Sequence, residues 1–175
     1  MNEKLELGAY EKRKGWIVID KDPRSDLALD LSFATLPFPD NSVSQIYSSH
    51  LLEHFFFPEM ERLLKECLRV LQPDGLFEAA VPDMKPYIEA YLKPEGSFVI
   101  PEKSIYRPAF HYFSRIDYIN YMGYLDGIHK FMFDEENLPL IINYVGFRNC
   151  KIRTFKSGLD MPERQHESIY VEAVK

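Results

Sequence analysis

The sequence has few of the residues that mark several protein classes. Two cysteines, Cys67 and Cys150, are too few for a disulfide framework, and their spacing matches no common metal-binding pattern. No apolar run approaches the roughly 20 residues that a membrane-spanning helix needs. The opening segment Met1–Leu7 is charged and short, unlike a signal peptide. We therefore expect a cytoplasmic protein that has no membrane partner.

The chain also lacks an excess of positive charge. The chain of 175 residues has 21 Lys and Arg against 27 Asp and Glu, a net charge of −6. Proteins that bind nucleic acids usually carry a basic excess, so we predict no nucleic-acid partner. The 11 Tyr and 13 Phe suit a pocket for an organic ligand, and equally suit a core. The length is sufficient for one domain with a sizeable core.

Strand and helix patterns alternate along much of the chain. Apolar segments predict strands at residues 4–8, 15–20, 27–31, 43–49, 76–81, 149–155 and 168–174. Apolar residues at three- and four-residue spacing predict a helix over 59–71, ended by the turn Pro73-Asp74-Gly75, and shorter helices are expected over 83–91 and 134–145. Such alternation favours an α/β fold with a mostly parallel sheet. The last two strands have no helix between them and can pair antiparallel.

Residues 1–175 are predicted to form a single domain. The segment 92–130 is rich in aromatics, prolines and glycines without a clear period, and we interpret it as an insertion that covers the strand ends. The connection after the first strand is unusually short, because only Ala9–Lys14 separates Gly8 from Gly15. A parallel crossover normally takes a dozen or more residues and a helix. The first helix is therefore missing or reduced, and the first two strands either pair parallel through an extended loop or form a hairpin.

Polar residues cluster directly after the predicted strand at 43–49. Ligands of open α/β sheets bind at the carboxyl ends of strands, where Ser48, Ser49 and His50 lie. His50 titrates near neutral pH and is a candidate general base, although it can equally cap the next helix or hydrogen-bond in the core. His50 and His54, four residues apart, have a spacing that can bind a metal. The order of residues is not His-Glu-x-x-His and no third ligand is evident, so we predict no metal site.

Several segments resemble class I S-adenosylmethionine (SAM)-dependent methyltransferases. The runs Leu36-Pro37-Phe38-Pro39-Asp40-Asn41-Ser42, Leu52-Glu53-His54 and Arg69-Val70-Leu71-Gln72-Pro73-Asp74-Gly75 match the family pattern LPFpDnS…LEH…RVLkPGG. His129–Asp134, Tyr144–Phe147 and the tail from Arg164 are also similar to related short chains. The resemblance implies a Rossmann-like methyltransferase fold, SAM as cofactor, and a small-molecule or glycan-like acceptor.

The resemblance also implies roles for individual residues. For the cofactor, Glu6 and Gly8 would belong to the loop after the first strand, Asp20 would bind the ribose, Asp30 and Leu31 the adenine, and Ser48 and Ser49 would line the sulfonium. For the acceptor pocket, it points to His54, Arg107, His111 and His129. The setting of Arg107 in this segment, apart from the resemblance, makes it a candidate clamp for an acidic substrate.

Three departures from the family pattern leave a second interpretation open. Tyr10 replaces the second glycine of the first loop, the first helix is contracted, and Ser44 stands where the family usually has an aspartate. These favour a non-catalytic methyltransferase-like protein that binds or regulates a partner. A nicotinamide-dependent oxidoreductase is disfavoured, because G-x-G-x-x-G is absent after the first strand. The sequence leaves a homo-oligomer open.

Overall fold

The computed structural model describes residues 3–9, 11–33, 35–93, 100, 104 and 106–175. Seven strands form one sheet in the order β3-β2-β1-β4-β5-β7-β6. They are β1 (Glu3–Leu7), β2 (Ile17–Asp20), β3 (Leu27–Ala28), β4 (Val43–Ser49), β5 (Leu71–Pro82), β6 (Arg148–Arg153) and β7 (Ser168–Val174). The first five pair parallel, and β7 runs antiparallel to both β5 and β6. The predicted α/β class, with a mostly parallel sheet and an antiparallel last strand, is confirmed.

The short connection between β1 and β2 crosses the sheet without a helix in its described residues. The two strands pair parallel, with Leu5 opposite Ile17 and Leu7 opposite Ile19, so the hairpin alternative is wrong. The amide of Gly8 donates to the Ile19 carbonyl at 2.9 Å, and this bond holds the loop at the end of β2. Tyr10 lies outside the described residues.

Helix α1 (Phe57–Val70) follows the expected pattern. Its apolar side, which includes Met60, Leu63 and Leu64, is fully buried against the sheet. The carboxylate of Glu59 accepts from the amide of Phe56 at 2.9 Å and satisfies one of the free donors at the helix start.

The turn Pro73-Asp74-Gly75 was predicted to end α1, and this placement is wrong. The helix ends at Val70 and β5 begins at the next residue. The turn is an irregularity within β5, where the register against β4 shifts between Leu71 and Leu76 and Asp74 adopts a φ of 59°. The physical reason is that Leu71 is already fully buried in the sheet, so the chain bulges only after the strand has started.

Three further helices complete the layers: α2 (Lys85–Leu92), α3 (Ile116–Tyr124) and α4 (Asn137–Val145). Helix α4 begins three residues later than predicted, because Asp134 Oδ1 accepts from the amides of Glu136 and Asn137 and forms a turn ahead of it. Helix α3 lies inside the segment for which the sequence showed no period, and it packs on α2 through Tyr87, Tyr121 and Met122. None of the helices in the described ranges combines the length and apolar character needed to cross a bilayer.

Candidate functional site

A cavity of about 540 Å³ opens at the carboxyl ends of β1, β2 and β4. Parallel strands present their carboxyl ends at the same edge of a sheet, which is why Gly8, Asp20 and His50 meet there although they are far apart in sequence. The remaining wall comes from loops: Lys21, Leu29, Asp30, Leu31, Ser32, Leu51, His54, Phe55, Tyr106, Gly127, Ile128, Lys130 and Arg164. The size suits an organic ligand.

Gly8 lets the backbone approach this cavity. Its φ is 78°, in the region that glycine adopts without strain. A Cβ added there would lie 2.7 Å from Cδ1 of Leu51, which also lines the cavity. Both the conformation and the packing therefore require glycine at this position.

Asp20 presents a carboxylate at the end of β2. Its Oδ1 accepts from the amide of Asp22 at 2.7 Å, and its backbone oxygen accepts from the amide of Leu29 at 2.8 Å. Within the described part of the chain, Oδ2 has no hydrogen-bond partner. The half-buried carboxylate is thus fixed in position and keeps an oxygen for a hydroxyl group of a ligand.

Asp30 and Leu31 form the neighbouring wall after β3. Leu31 is buried, whereas Asp30 is exposed and its Oδ1 accepts from the amide of Ser32 at 2.9 Å. Hydrogen bonds from Ser32 hold the pKa of Asp30 below its usual value. Asp30 therefore stays ionised at neutral pH beside an apolar surface.

The ring of His50 is held at the base of the cavity. Its Nε2 lies 2.7 Å from Oγ of Ser168, whose hydroxyl donates to the carbonyl of Arg164. The serine oxygen must therefore accept, which places the imidazole proton on Nε2 and a lone pair on Nδ1. Burial holds the pKa of His50 well below its usual range, so the ring is neutral at pH 7. The structure gives His50 a core hydrogen bond, and its role as a base remains a prediction.

Three ligating side chains converge beside His50. Glu53, His54 and His129 each place one possible metal-ligand atom within 4.8 Å of the others. Glu53 is 1% exposed, and its Oε1 lies 3.8 Å from Nε2 of His54 and from Nδ1 of His50. Burial raises the pKa of Glu53 to about 8. His129 supplies the third ligating group that local spacing did not reveal, because it lies 75 residues beyond His54.

The other predicted residues lie outside the cavity wall. Glu6 forms an ion pair with Nε of Arg13 at 2.9 Å, and Ser48 is buried. Ser49 accepts from Arg164. Arg107 donates to the carbonyl of Ile100 at 2.6 Å, and His111 faces Asp126 at 3.5 Å in a separate cavity of about 280 Å³.

Cationic wall residues are the part of the site to which sequence reasoning assigned no role. Lys21, Lys130 and Arg164 line the cavity. Arg164 donates from Nη1 to the backbone oxygen of Ser49 at 3.1 Å, and its guanidinium lies 5.7 Å from the ring centre of Tyr106. Arg164 belongs to the C-terminal segment that resembles related chains, but only the structure shows that its side chain contacts the end of β4 at Ser49.

Comparisons with known proteins agree with this architecture. Residues 18–79 match the model of a family described as a methyltransferase domain. A search of curated proteins found no match. Among solved structures, a SAM-dependent methyltransferase from Archaeoglobus fulgidus is 15% identical, with 99% of this chain and 86% of that chain covered and a TM-score of 0.59.

Two further structures show how widely this fold is shared. A SAM-dependent methyltransferase from Methanosarcina mazei is 19% identical, with 99% and 92% of the two chains covered and a TM-score of 0.56. The [4+2]-cyclase SpnF is 14% identical, with 99% and 74% covered and a TM-score of 0.54. Two of these three structures are described as SAM-dependent methyltransferases. The sheet order, the match over residues 18–79 and these structural neighbours show that the chain has the Rossmann-like fold of methyltransferases and is similar to the methyltransferase-domain family.

Proposed function

We propose that the protein transfers a methyl group from SAM to a small-molecule or glycan-like acceptor. The observation that carries this proposal is the cavity itself, in which Gly8, Asp20 and Asp30 meet at one edge of the sheet. These residues fit the cofactor: Gly8 leaves room for a ligand against the backbone, Asp20 would accept from the ribose hydroxyls, and Asp30 with Leu31 would flank the adenine. SAM supplies an activated methyl group when it is bound.

The chain's own residues would position the reactants and exclude water. We propose that residues 1–175 act as one domain in which the segment 92–130 covers the strand ends, because Tyr106, Gly127, Ile128 and Lys130 form one side of the cavity. Close positioning in a site sheltered from water favours methyl transfer. The cations Lys21, Lys130 and Arg164 suit a carboxylate of the cofactor or the acceptor.

Titration calorimetry with S-adenosylhomocysteine tests the cofactor site. We expect micromolar binding by the wild-type chain. Asp20→Asn should weaken binding by about 5- to 150-fold, which corresponds to the roughly 1–3 kcal/mol cost of leaving a buried polar group poorly paired. Asp22→Asn is the matched control, because Asp22 lies two residues away and its side chain pairs with Arg24. Equal affinity of both variants would refute the ribose assignment.

A non-catalytic methyltransferase-like protein is the second candidate function. The observation that favours it is the β1–β2 connection, which has no helix in its described residues and so offers no helix N-terminus to an anionic group. The same fold also supports other roles, as the match to a cyclase illustrates. No binding of S-adenosylhomocysteine at millimolar concentration would favour this candidate over methyl transfer.

A further inference from the structure

We propose that Glu53, His54 and His129 form a binding site for a divalent transition-metal ion. Their ligand atoms lie within 4.8 Å of one another, and His54 also lines the main cavity. Two imidazole nitrogens and one carboxylate oxygen are a donor set that zinc and related ions bind.

Backbone contacts bring the three residues together. Glu53 and His54 are consecutive in the 3₁₀ turn Leu52–His54, which begins three residues after the end of β4. The carbonyl of Glu53 accepts from the amides of Lys130 at 2.8 Å and Phe131 at 3.2 Å. These two bonds fix the segment that carries His129 against the turn, so the site is preformed.

Hydrogen bonds also orient both imidazoles for metal binding. Nδ1 of His129 lies 2.7 Å from the carbonyl oxygen of Met122, and Nδ1 of His54 lies 3.3 Å from that of Ile128. A carbonyl only accepts, so each Nδ1 carries the proton and each Nε2 keeps its lone pair. A carbonyl that accepts from the second ring nitrogen is typical of metal-binding histidines.

The carboxylate of Glu53 provides an independent observation. The side chain is 1% exposed, and neither oxygen has a hydrogen-bond partner within the described residues. Buried polar groups are nearly always paired, and an unpaired charge away from water is costly. A bound cation would supply the missing partner.

The geometry suits an ion that keeps a free coordination position. Bonds of about 2.0–2.2 Å hold tetrahedral ligands about 3.3–3.6 Å apart, so donor atoms that lie up to 4.8 Å apart need to approach by at most about 1.5 Å, within the reach of small side-chain rotations. Glu53 and His129 are buried, whereas His54 lines the cavity. An external ligand would therefore reach the ion through the cavity, as at catalytic zinc sites with three protein ligands.

The acceptor class that follows from this site is a hydroxyl compound, an inference that rests on the proposed function. An alcohol or phenol oxygen bound to the ion loses its proton to water more readily. An oxygen lone pair then forms the new C–O bond to the methyl carbon. The C–S bond breaks, and its electron pair remains on sulfur, which leaves S-adenosylhomocysteine and the methyl ether.

Cobalt titration of the chelator-treated full chain tests the metal site without SAM. We expect one equivalent of Co²⁺ to bind, with visible absorption bands of a four- or five-coordinate ion, and Zn²⁺ to displace it. Glu53→Gln and His129→Gln should each weaken binding by at least about 10- to 100-fold, since loss of a group that only hydrogen-bonds to a metal ligand already has an effect of that size. His111→Gln is the control, because this exposed imidazole lies outside the cluster.

Binding that is absent at millimolar Co²⁺, or equal in the cluster variants and the control, would overturn the proposal. Circular dichroism would establish that each variant is folded. His54→Gln gives a third variant at a partly exposed position, where folding is least at risk. Titration of the metal-free protein with S-adenosylhomocysteine separates a failure of the metal site from a failure of the proposed SAM-dependent function, because loss of the metal site leaves cofactor affinity unchanged.

Discussion

Gly8→Ala is predicted to destabilise the protein by two separable effects. A residue with a Cβ at a φ of 78° carries backbone strain of about 1–2 kcal/mol. The new methyl group would also lie 2.7 Å from Cδ1 and 3.0 Å from Cβ of Leu51, closer than carbon atoms pack. Overpacking of this kind typically costs about 1–3 kcal/mol. Together the two effects predict a loss of about 2–5 kcal/mol in the free energy of unfolding.

Gly15→Ala is the matched control for the strain alone. Gly15 has nearly the same φ, 82°, but among the described residues no heavy atom lies within 4 Å of the position that an added Cβ would take. This variant should therefore lose only about 1–2 kcal/mol. The difference between the two variants measures the contact with Leu51.

Urea denaturation of both variants provides the measurement. With a slope of about 1–3 kcal/mol/M for a small protein, the midpoint for Gly8→Ala should fall clearly below that for Gly15→Ala. Gly8→Ala should also bind S-adenosylhomocysteine less tightly under conditions where it is folded, because the new methyl group would displace Leu51, which lines the cavity. Equal midpoints for the two variants would refute the packing argument, and wild-type stability of both would refute the strain argument as well.

Two further predictions concern buried groups away from the cavity. Asp160→Asn should cost about 3–5 kcal/mol at pH 7, because it removes one partner of the buried pair with Arg153 at 2.6 Å. Burial raises the pKa of Asp160, but the hydrogen bonds and charge of Arg153 outweigh this effect and the net pKa is lowered. The ion pair therefore contributes to stability above about pH 4, and its contribution is lost as the pH falls further. Urea titrations at pH 7 and pH 3 should show that the stability difference between wild type and Asp160→Asn shrinks at pH 3, and a constant difference would contradict this assignment. Cys67 is fully buried, and burial raises the pKa of its thiol, so a thiol reagent should modify it only after unfolding. Mass spectrometry can locate the modified cysteine, and rapid labelling of Cys67 in the native protein would contradict the packing of α1.

Local pattern was sufficient to predict most of the sheet and α1. The strand predicted at 43–49 matches β4 residue for residue, and the three- and four-residue spacing after it located α1 to within two residues. Both signals depend on burial of side chains close in sequence. The predictions failed where contacts between residues distant in sequence determine the secondary structure. Leu71, for example, pairs with Val43 in the sheet although the helical spacing of apolar residues extends through it.

The candidate site was predicted in part for the same reason. Asp20 and His50 follow strands directly, so their position at the cavity could be inferred from the chain order. Arg164 and His129 reach β4 and the adjoining turn through loops whose paths depend on tertiary packing. No spacing in the local sequence indicates that these side chains lie near β4. The sequence of 92–130 has no clear period, so it did not show where Arg107 and His111 lie relative to the cavity.

The contracted β1–β2 crossover shows how side chains can stabilise a connection that has no helix. Arg13 pairs with the buried carboxylate of Glu6 at 2.9 Å and donates to the carbonyl of Leu159 at 2.9 Å. Its guanidinium also lies 5.7 Å from the ring centre of Trp16 and 5.4 Å from that of Tyr47. Burial raises the pKa of Glu6 while Arg13 lowers it, so the carboxylate depends on this arginine for its charge partner. Because Glu6 is engaged in this way, its carboxylate stabilises the loop, whereas Asp20 and Asp30, the other two acidic residues that we propose for the cofactor, line the cavity.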